Sequence, residues 1–138
     1  MIKRVTIALL LLAITSTTAQ SLPRRRAVRP VPTPCGTMTD ANVFFFYFGS
    51  TSFCSSASLS PCTIGESVDF GIQSFGYNFL CDAHTVHLDF GDGTSIDSVP
   101  GVRITHTYAQ PGMYIAIASV GNHTQTLLLG TRVFVNGG

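Results

Sequence analysis

The sequence predicts an all-β protein, a sandwich of about seven short strands. Aromatic and β-branched residues are plentiful, long helix-forming runs are absent, and turn signals interrupt the apolar segments about every ten residues. The chain has 138 residues, which allows one domain of ordinary size. Charged residues make up only 11% of the chain, against a usual share of about a quarter. This composition excludes a disordered polyelectrolyte, a coiled coil and a strongly basic nucleic-acid-binding protein.

The residue patterns predict six strands directly, at 42–48, 66–72, 84–90, 102–108, 113–120 and 125–135. The first is apolar on both faces, whereas the second and third alternate apolar and polar residues as half-buried strands do. Pro111 and Gly112 mark the turn before the fifth strand, and residues 121–124 form the hairpin loop before the sixth. We expect the apolar side chains of the loop at 73–82 to fold over an edge of the core: Phe75, Tyr77, Phe79 and Leu80.

Residues 1–19 have the pattern of a secretory signal peptide. Two basic residues precede an apolar stretch at 5–14, and small residues at 17–19 precede a cut that leaves Gln20 as the new N-terminus. The alternative is a short transmembrane anchor, but this stretch is too short to span a bilayer core of about 30 Å. The sequence therefore predicts a secreted protein, extracellular or periplasmic, that does not span a membrane.

Residues 20–34 form a predicted linker that contains four prolines and four arginines. Prolines favour an extended chain and like charges repel, so we expect a spacer. Two alternatives remain open, which are cleavage by a protease of basic specificity and binding to an anionic phospholipid or polysaccharide surface. The chain after residue 34 has two arginines, no lysine and seven acidic residues, which gives a formal charge of −5.

Four cysteines in an exported chain predict two disulfides: Cys35, Cys54, Cys62 and Cys81. Their spacing does not resemble the paired cysteines of zinc sites. Three pairings are possible, and we expect Cys35–Cys54 and Cys62–Cys81. The reason is that Cys62 and Cys81 each precede a predicted strand, and we expect the loop between these strands to return the chain so that both cysteines lie at the same end of the pair. In this prediction, residues 35–61 form an N-terminal strand and a disulfide loop.

Three motifs in order resemble the PKD (polycystic kidney disease) domain. They are Leu-Asp-Phe-Gly-Asp-Gly-Thr at 88–94, His-Thr-Tyr at 106–108 and Pro-Gly-Met-Tyr at 111–114, and Gly-Glu-Ser-Val at 65–68 also fits the family. The resemblance implies an immunoglobulin-like β-sandwich at residues 62–138. The residues that carry it are Asp89, Phe90, Gly91, Asp92, Gly93, His106, Tyr108, Pro111, Gly112 and Tyr114. Leu88 stands where the family has tryptophan, and we expect the aromatic residues at 43–48 and 75–79 to fill that space.

The chemistry of these motif residues predicts structural roles. Phe90 points into the core, while Asp89 and Asp92 accept backbone N–H bonds that close the turn. Gly91 and Gly93 supply positive φ angles. We expect Tyr108 to bury its ring and to keep its hydroxyl hydrogen-bonded.

Metal binding and catalysis have weak support in the sequence. The four histidines lack a spacing that would gather them around zinc, and we expect no metal or other cofactor. Calcium is a low-probability alternative through four carboxylates: Asp82, Asp89, Asp92 and Asp97. The chain has no Gly-x-Ser-x-Gly motif and no phosphate-binding loop, so we predict that it is not an enzyme. Asn122 lies in the chain's one Asn-x-Ser/Thr sequon and is a possible glycosylation site.

The resemblance also places four residues of the fifth strand inward: Tyr114, Ala116, Ala118 and Val120. It leaves Met113, Ile115 and Ile117 facing outward. Two interpretations remain open. Residues 43–48 or the N-terminal segment cover this patch, or the patch is an apolar contact surface for a neighbouring module or chain.

The resemblance implies a secreted, non-catalytic module that contacts an extracellular protein or polysaccharide and not nucleic acid. The alternative is a structural spacer or matrix component without a specific ligand. Exposed aromatic residues distinguish the two, because a planar row of Tyr or Phe side chains favours sugar binding.

Export can be tested on the N-terminus of the secreted protein. We expect cleavage after Ala19, because small residues there follow the apolar stretch, and N-terminal sequencing of the secreted chain should begin at Gln20. A chain that keeps Met1 and stays in the membrane fraction would contradict the signal-peptide prediction.

Overall fold

The computed structural model describes residues 34–58 and 60–138, and these residues form eight β-strands and no helix. The predicted signal peptide and nearly all of the predicted linker lie outside the described residues. The strands are β1 (Val43–Gly49), β2 (Cys62–Thr63), β3 (Val68–Ser74), β4 (Thr85–Asp89), β5 (Ser95–Ser98), β6 (Ile104–His106), β7 (Gly112–Gly121) and β8 (Thr126–Asn136). The all-β prediction is confirmed.

The strands form two sheets that pack face to face as an immunoglobulin-like sandwich. One sheet has three strands in the order β1-β3-β6, and the other has five in the order β2-β8-β7-β4-β5. All neighbours are antiparallel except β2 and β8. The β7–β8 hairpin is the longest ladder, and it runs from the pair Gly112–Val135 to the pair Gly121–Thr126.

The core lies between the sheets and is filled by alternate residues of the central strands. Val68, Phe70 and Ile72 of β3 face Val86 and Leu88 of β4, and all five are buried. The rings of Phe45 and Tyr47 lie 5.8 Å from the ring of Phe70. Aromatic side chains of β1 therefore pack into the same core as Leu88, the residue that stands at the family's tryptophan position.

Two short strands and two side-chain positions differ from the prediction. The strands β2 and β5 were not predicted, because β2 has two residues and β5 is polar and exposed on nearly every residue. In the 73–82 loop Tyr77 is buried, but Phe75 and Leu80 are 82% and 92% exposed, so their predicted packing is wrong. Tyr77 is held inward through its hydroxyl, 2.9 Å from His84 Nε2, while its neighbours face solvent.

The predicted disulfide pairing is wrong, since the bonds are Cys35–Cys81 and Cys54–Cys62. The physical reason is the number of strands between the cysteines. Each of the seven-residue strands β1 and β3 carries the chain from one end of the sandwich to the other, whereas β2 has two residues and does not. One such long strand separates the cysteines of each predicted pair. Cys54 and Cys62 both lie between β1 and β3, at one end. Cys35 and Cys81 are separated by both strands and meet at the other end.

The two disulfides close loops of very different length. The bonded residues are 46 positions apart for Cys35–Cys81 and 8 apart for Cys54–Cys62. In the chain-entropy model these loops correspond to about 4 and about 2.5 kcal/mol of stabilisation. Cys54 and Cys62 are fully buried, whereas Cys35 and Cys81 are partly exposed.

These differences predict an order of reduction. Under graded dithiothreitol without denaturant, Cys35 and Cys81 should become alkylated before Cys54 and Cys62, because thiol–disulfide exchange requires access to a sulfur. Peptide mapping of the alkylated protein measures the order. Simultaneous alkylation of all four cysteines would contradict the burial difference, and a peptide linking Cys62 to Cys81 would contradict the pairing itself.

Candidate functional site

The turn after β4 is closed by two aspartates. Asp89 Oδ1 accepts a hydrogen bond from the Gly91 N–H at 2.8 Å, and Asp92 Oδ1 accepts from the Thr94 N–H at 3.0 Å. Gly91 has a φ angle of +81°, and a Cβ there would meet the carbonyl oxygen of Ile115 at 2.5 Å. Both the conformation and the close approach therefore require glycine at position 91.

Aromatic side chains join this turn to the opposite sheet. The rings of Phe90 and His106 are stacked, with centroids 3.9 Å apart and planes 8° apart. Tyr108 packs edge-on against His106 and donates its hydroxyl to the Phe90 carbonyl at 3.0 Å. Burial raises the pKa of Tyr108 well above its ordinary value. The Tyr108 hydroxyl is thus a fixed donor in the core and not a proton-transfer group.

Asp92 also reaches across to His106, and its Oδ2 lies 2.7 Å from His106 Nε2. Partial burial raises the pKa of Asp92, but hydrogen bonds from Thr94 and His106 outweigh burial and hold this pKa below its ordinary value. The Asp92 carboxylate is therefore ionised at neutral pH, and both of its oxygens bond to residues of the domain itself.

A buried carboxylate lies beside the Cys54–Cys62 disulfide. Glu66 accepts a hydrogen bond from the Thr63 N–H at 2.8 Å and is 8% exposed. Burial raises the pKa of Glu66, but hydrogen bonds from the surrounding loop outweigh burial and the net shift is downward. Gly49 allows this arrangement, because a Cβ there would clash with the Glu66 carboxylate.

The outer face of the five-stranded sheet carries an exposed aliphatic stripe, which we define as Met113, Ile115, Ile117 and Leu128. These side chains are 43–69% exposed. The strand β1 belongs to the other sheet, so the interpretation that residues 43–48 cover this patch is wrong. The N-terminal segment, the other predicted cover, lies outside the described residues. The stripe is therefore uncovered within the described part of the chain.

The outer face of the three-stranded sheet carries an aromatic row, which we define as Phe44, Phe46 and Phe48. These alternate residues of β1 point away from the core, opposite Gln73, Gly71 and Asp69 of β3. The rings of Phe46 and Phe48 are nearly parallel, with planes 7° apart and centroids 6.4 Å apart. Phe44 is 44% exposed, and the other two are partly exposed.

Polar side chains flank the aromatic row. Asp69 accepts a hydrogen bond from Thr105 Oγ1 at 2.6 Å, and its other oxygen lies 3.5 Å from Arg103 Nη1. The Arg103 guanidinium carbon is 5.2 Å from the centroid of the Phe48 ring. An open cleft of about 270 Å³ lies between the row and residues 101–103, with Gly71 and Gln73 among its lining residues.

Comparison with known proteins identifies the family. The PKD domain family model matches residues 56–135, more than half of the chain. The chain belongs to the PKD domain family. A comparison with curated proteins found no match.

A solved PKD domain has a similar fold. The solution structure of the PKD domain from the human VPS10 domain-containing receptor SorCS2 aligns with a TM-score of 0.57 and 18% identity, covering 91% of this chain and 95% of that domain. The PKD domain of an M14-like peptidase from a Thermoplasmatales archaeon aligns with a TM-score of 0.41 and 17% identity, over 67% of this chain and 92% of that one. The receptor domain supports the fold assignment alone.

The calcium-candidate carboxylates of this PKD domain do not come together. Asp82 contacts His123 and Asp97 contacts His87, each at 2.7 Å, while Asp89 and Asp92 serve the turn. Within residues 34–58 and 60–138, one set of three side chains has metal-ligand spacing: Cys54, Cys62 and Glu66. Two of these are joined in a disulfide, so this set does not offer a metal site.

Asn122 lies in a hydrogen-bond network and not at a free loop tip. Its Nδ2 donates to the Tyr77 hydroxyl at 3.2 Å, and that hydroxyl contacts His84 Nε2. The His84 Nδ1 lies 2.9 Å from the Asp82 carbonyl, which fixes Nδ1 as a donor and leaves Nε2 as an acceptor. The Asn122 amide is therefore part of a network that joins the β7–β8 loop to the 73–82 loop, and its glycosylation stays a prediction.

Sequence reasoning missed Asp69, Gly71 and Arg103, which surround the aromatic row in this PKD domain. It treated residues 42–48 as a strand that is apolar on both faces and assigned the outward residues no role. The sequence did contain a pattern for these outward residues, because phenylalanine at every second position exceeds what one buried face needs.

In the described part of the chain, no helix has the length and hydropathy to cross a membrane.

Two aspartate–histidine pairs of equal distance provide a matched stability test. Asp92→Asn should destabilise the domain by about 1–2 kcal/mol, because it weakens charge-assisted bonds to Thr94 and His106 at a site where Asp92 is 19% exposed. Asp97→Asn is the control, since Asp97 is 87% exposed, and it should change stability by less than about 0.5 kcal/mol. Urea unfolding followed by circular dichroism measures both.

The lowered pKa of Asp92 predicts that its contribution to stability depends on pH. Because the folded-state pKa of Asp92 is lowered, its stabilisation is present above the unfolded-state pKa and is lost as pH falls through the folded-state value. The stability difference between wild type and Asp92→Asn should therefore shrink in acid. A difference that stays constant through acidic pH would contradict the assigned role of the carboxylate.

Proposed function

We propose that this PKD-domain protein is an exported, non-catalytic module that binds an extracellular ligand. The signal-peptide pattern at residues 1–19 supports export. The two disulfides fit an oxidising compartment. Disulfides of this kind are rare in proteins that work in reducing compartments.

The observation that carries the proposal is the apolar surface on both outer faces. The core is already complete between the sheets, so neither the aromatic row nor the aliphatic stripe is needed to fill it. A spacer gains nothing from ordered apolar side chains in water, and contiguous exposed apolar patches commonly mark contact sites. This favours a binding module over a structural component without a ligand.

The polar side chains support the absence of catalysis. A catalytic site needs a nucleophile, acid or base that is free to meet substrate in a cleft. The motif residues Asp89, Asp92 and Tyr108 each bond the domain's own backbone, and Asp92 also bonds His106. Because these groups are used by the fold, we place the function on the two exposed apolar faces, the aromatic row and the aliphatic stripe.

Binding can be tested with the mature chain, from Gln20, and the extracellular and envelope fractions of the source organism. We expect saturable binding of labelled protein that an excess of unlabelled protein displaces, because a shaped surface has a finite number of sites. The reduced and alkylated chain is the control and should not compete. A purely linear uptake that unlabelled protein leaves unchanged would favour the spacer alternative.

A further inference from the structure

We propose that the aromatic row, with its flanking residues Asp69, Gln73 and Arg103, binds a neutral polysaccharide chain of flat pyranose units. This inference rests on the proposed function, because it names the face and the ligand class of an extracellular binding module. The ligand chain would lie on the outer face of the three-stranded sheet, over the cleft next to Phe46 and Phe48.

The row is a feature that the fold does not require. The inward residues of β1 already supply its contribution to the core, since Val43 and Tyr47 are buried and Phe45 packs on Phe70. The outward residues make β1 apolar on both faces, although one face of this edge strand meets solvent. Polar residues at these positions would satisfy the fold and would protect an edge strand from association better.

The absence of a side chain at Gly71 makes room for the Phe46 ring of the aromatic row. Its φ angle is not in the positive range, so its backbone does not require glycine. A Cβ at this position would instead meet Phe46 at 2.5 Å, and its next contacts would be with the same ring. The missing side chain therefore lets the Phe46 ring lie over β3, nearly parallel to Phe48. Two rings held in one orientation before binding reduce the entropy that a ligand must overcome.

The chemistry of this face suits a sugar. The face of an aromatic ring carries partial negative charge, and the C–H groups on the flat side of a pyranose carry partial positive charge. The hydroxyls around the pyranose edge need hydrogen-bond partners, which the Gln73 amide and the Arg103 guanidinium can supply. The cleft of about 270 Å³ is open and shallow, which suits a chain lying across the surface better than an enclosed small molecule.

Charge favours a neutral ligand over an acidic one. Among residues 34–58 and 60–138, Arg103 is the one arginine on this face, and Asp69 Oδ2 lies 3.5 Å from its Nη1. Thr105 holds the other Asp69 oxygen, so the carboxylate is fixed beside the guanidinium. An anionic polysaccharide would meet the Asp69 charge as well as that of Arg103.

The aliphatic stripe on the other sheet lacks these features. Its outward neighbours across β8 are Phe134, Arg132 and Gly130, and the stripe contains no parallel pair of rings. The stripe therefore provides a control surface that is apolar and more exposed than Phe46 and Phe48 but has no parallel pair of rings.

The test is adsorption of the mature, disulfide-intact chain to insoluble chitin and cellulose, with alginate as the acidic comparison. We expect binding to at least one of the two neutral polymers. Adsorption to alginate, to which the arginines of the linker at 20–34 would contribute, should not depend on the aromatic row. Phe46→Ala and Phe48→Ala should each weaken binding about tenfold or more, a loss comparable with removal of other stacking platforms. Ile115→Ala on the stripe should leave adsorption unchanged.

Two further variants separate the position of the ring from its presence. Gly71→Ala keeps all three phenylalanines but displaces the Phe46 ring, so it should weaken adsorption as well. Phe46→Tyr keeps the ring and should retain binding. Because the chain has no tryptophan, Phe48→Trp introduces a single fluorophore whose emission should shift when soluble chitin or cellulose oligosaccharides are added. Circular dichroism melting confirms that each variant is folded.

The outcomes separate this inference from the proposed function. Failure of the wild-type chain to adsorb to either neutral polymer overturns the polysaccharide assignment, and equal adsorption of wild type and the Phe46 and Phe48 variants overturns the site. Row-dependent binding only to protease-sensitive material identifies a protein ligand and also overturns the inference. If the polysaccharide inference fails but the chain still binds the extracellular fraction saturably, the proposed function as a binding module is retained. If that binding is also absent, both the inference and the proposed function are wrong.

Discussion

The contact between the turn after β4 and strand β6 is the interaction on which the rest of this domain depends. Phe90 follows a strand of the five-stranded sheet, and His106 ends a strand of the three-stranded sheet. Their stacked rings, the Tyr108 bond to the Phe90 carbonyl and the Asp92–His106 pair join the two sheets. Since β6 has only three residues, its own ladder with β3 cannot fix it firmly. The cross-sheet contact therefore holds β6, and with it Arg103, beside Asp69.

The disulfides perform the corresponding task for β1 on the other edge of that sheet. Cys35 lies before β1 and Cys54 after it, so each disulfide fixes one end of the segment that carries the strand. At the far end, the buried Glu66 carboxylate and Gly49 pack against the Cys54–Cys62 bond. An edge strand bonded on one side only is otherwise prone to fray. The aromatic row is thus presented by a strand that is covalently held at both ends.

Much of the fold could be predicted from the sequence, because its information is local. The spacing of the motif residues predicts the turn at residues 89–94, alternation predicts the inward faces of β3 and β4, and the family resemblance predicts that of β7. The disulfide pairing failed although the sequence contained the answer. A long strand that crosses the sandwich moves the chain to its other end, and a single predicted strand, at 66–72, lies between Cys62 and Cys81, which argues against that pair. The placement of Phe46 over Gly71 was different, since it depends on the register of β1 against β3, which no local pattern determines.

The acidic residues bear on the proposal that this domain recognises its ligand through rings more than through charge. Six of its seven acids, those from Glu66 to Asp97, each accept a hydrogen bond or pair with a histidine or arginine of the domain. The formal charge of −5 after residue 34 is therefore spread over groups that already have partners. Among the described residues one of these carboxylates, Asp69, pairs with an arginine, so the net charge stays negative and disfavours an anionic ligand. What these side chains leave exposed is the pair of apolar faces, and only the aromatic row combines parallel rings with fixed hydrogen-bonding groups. A ligand with flat apolar faces and polar edges matches that combination, and a pyranose chain has both.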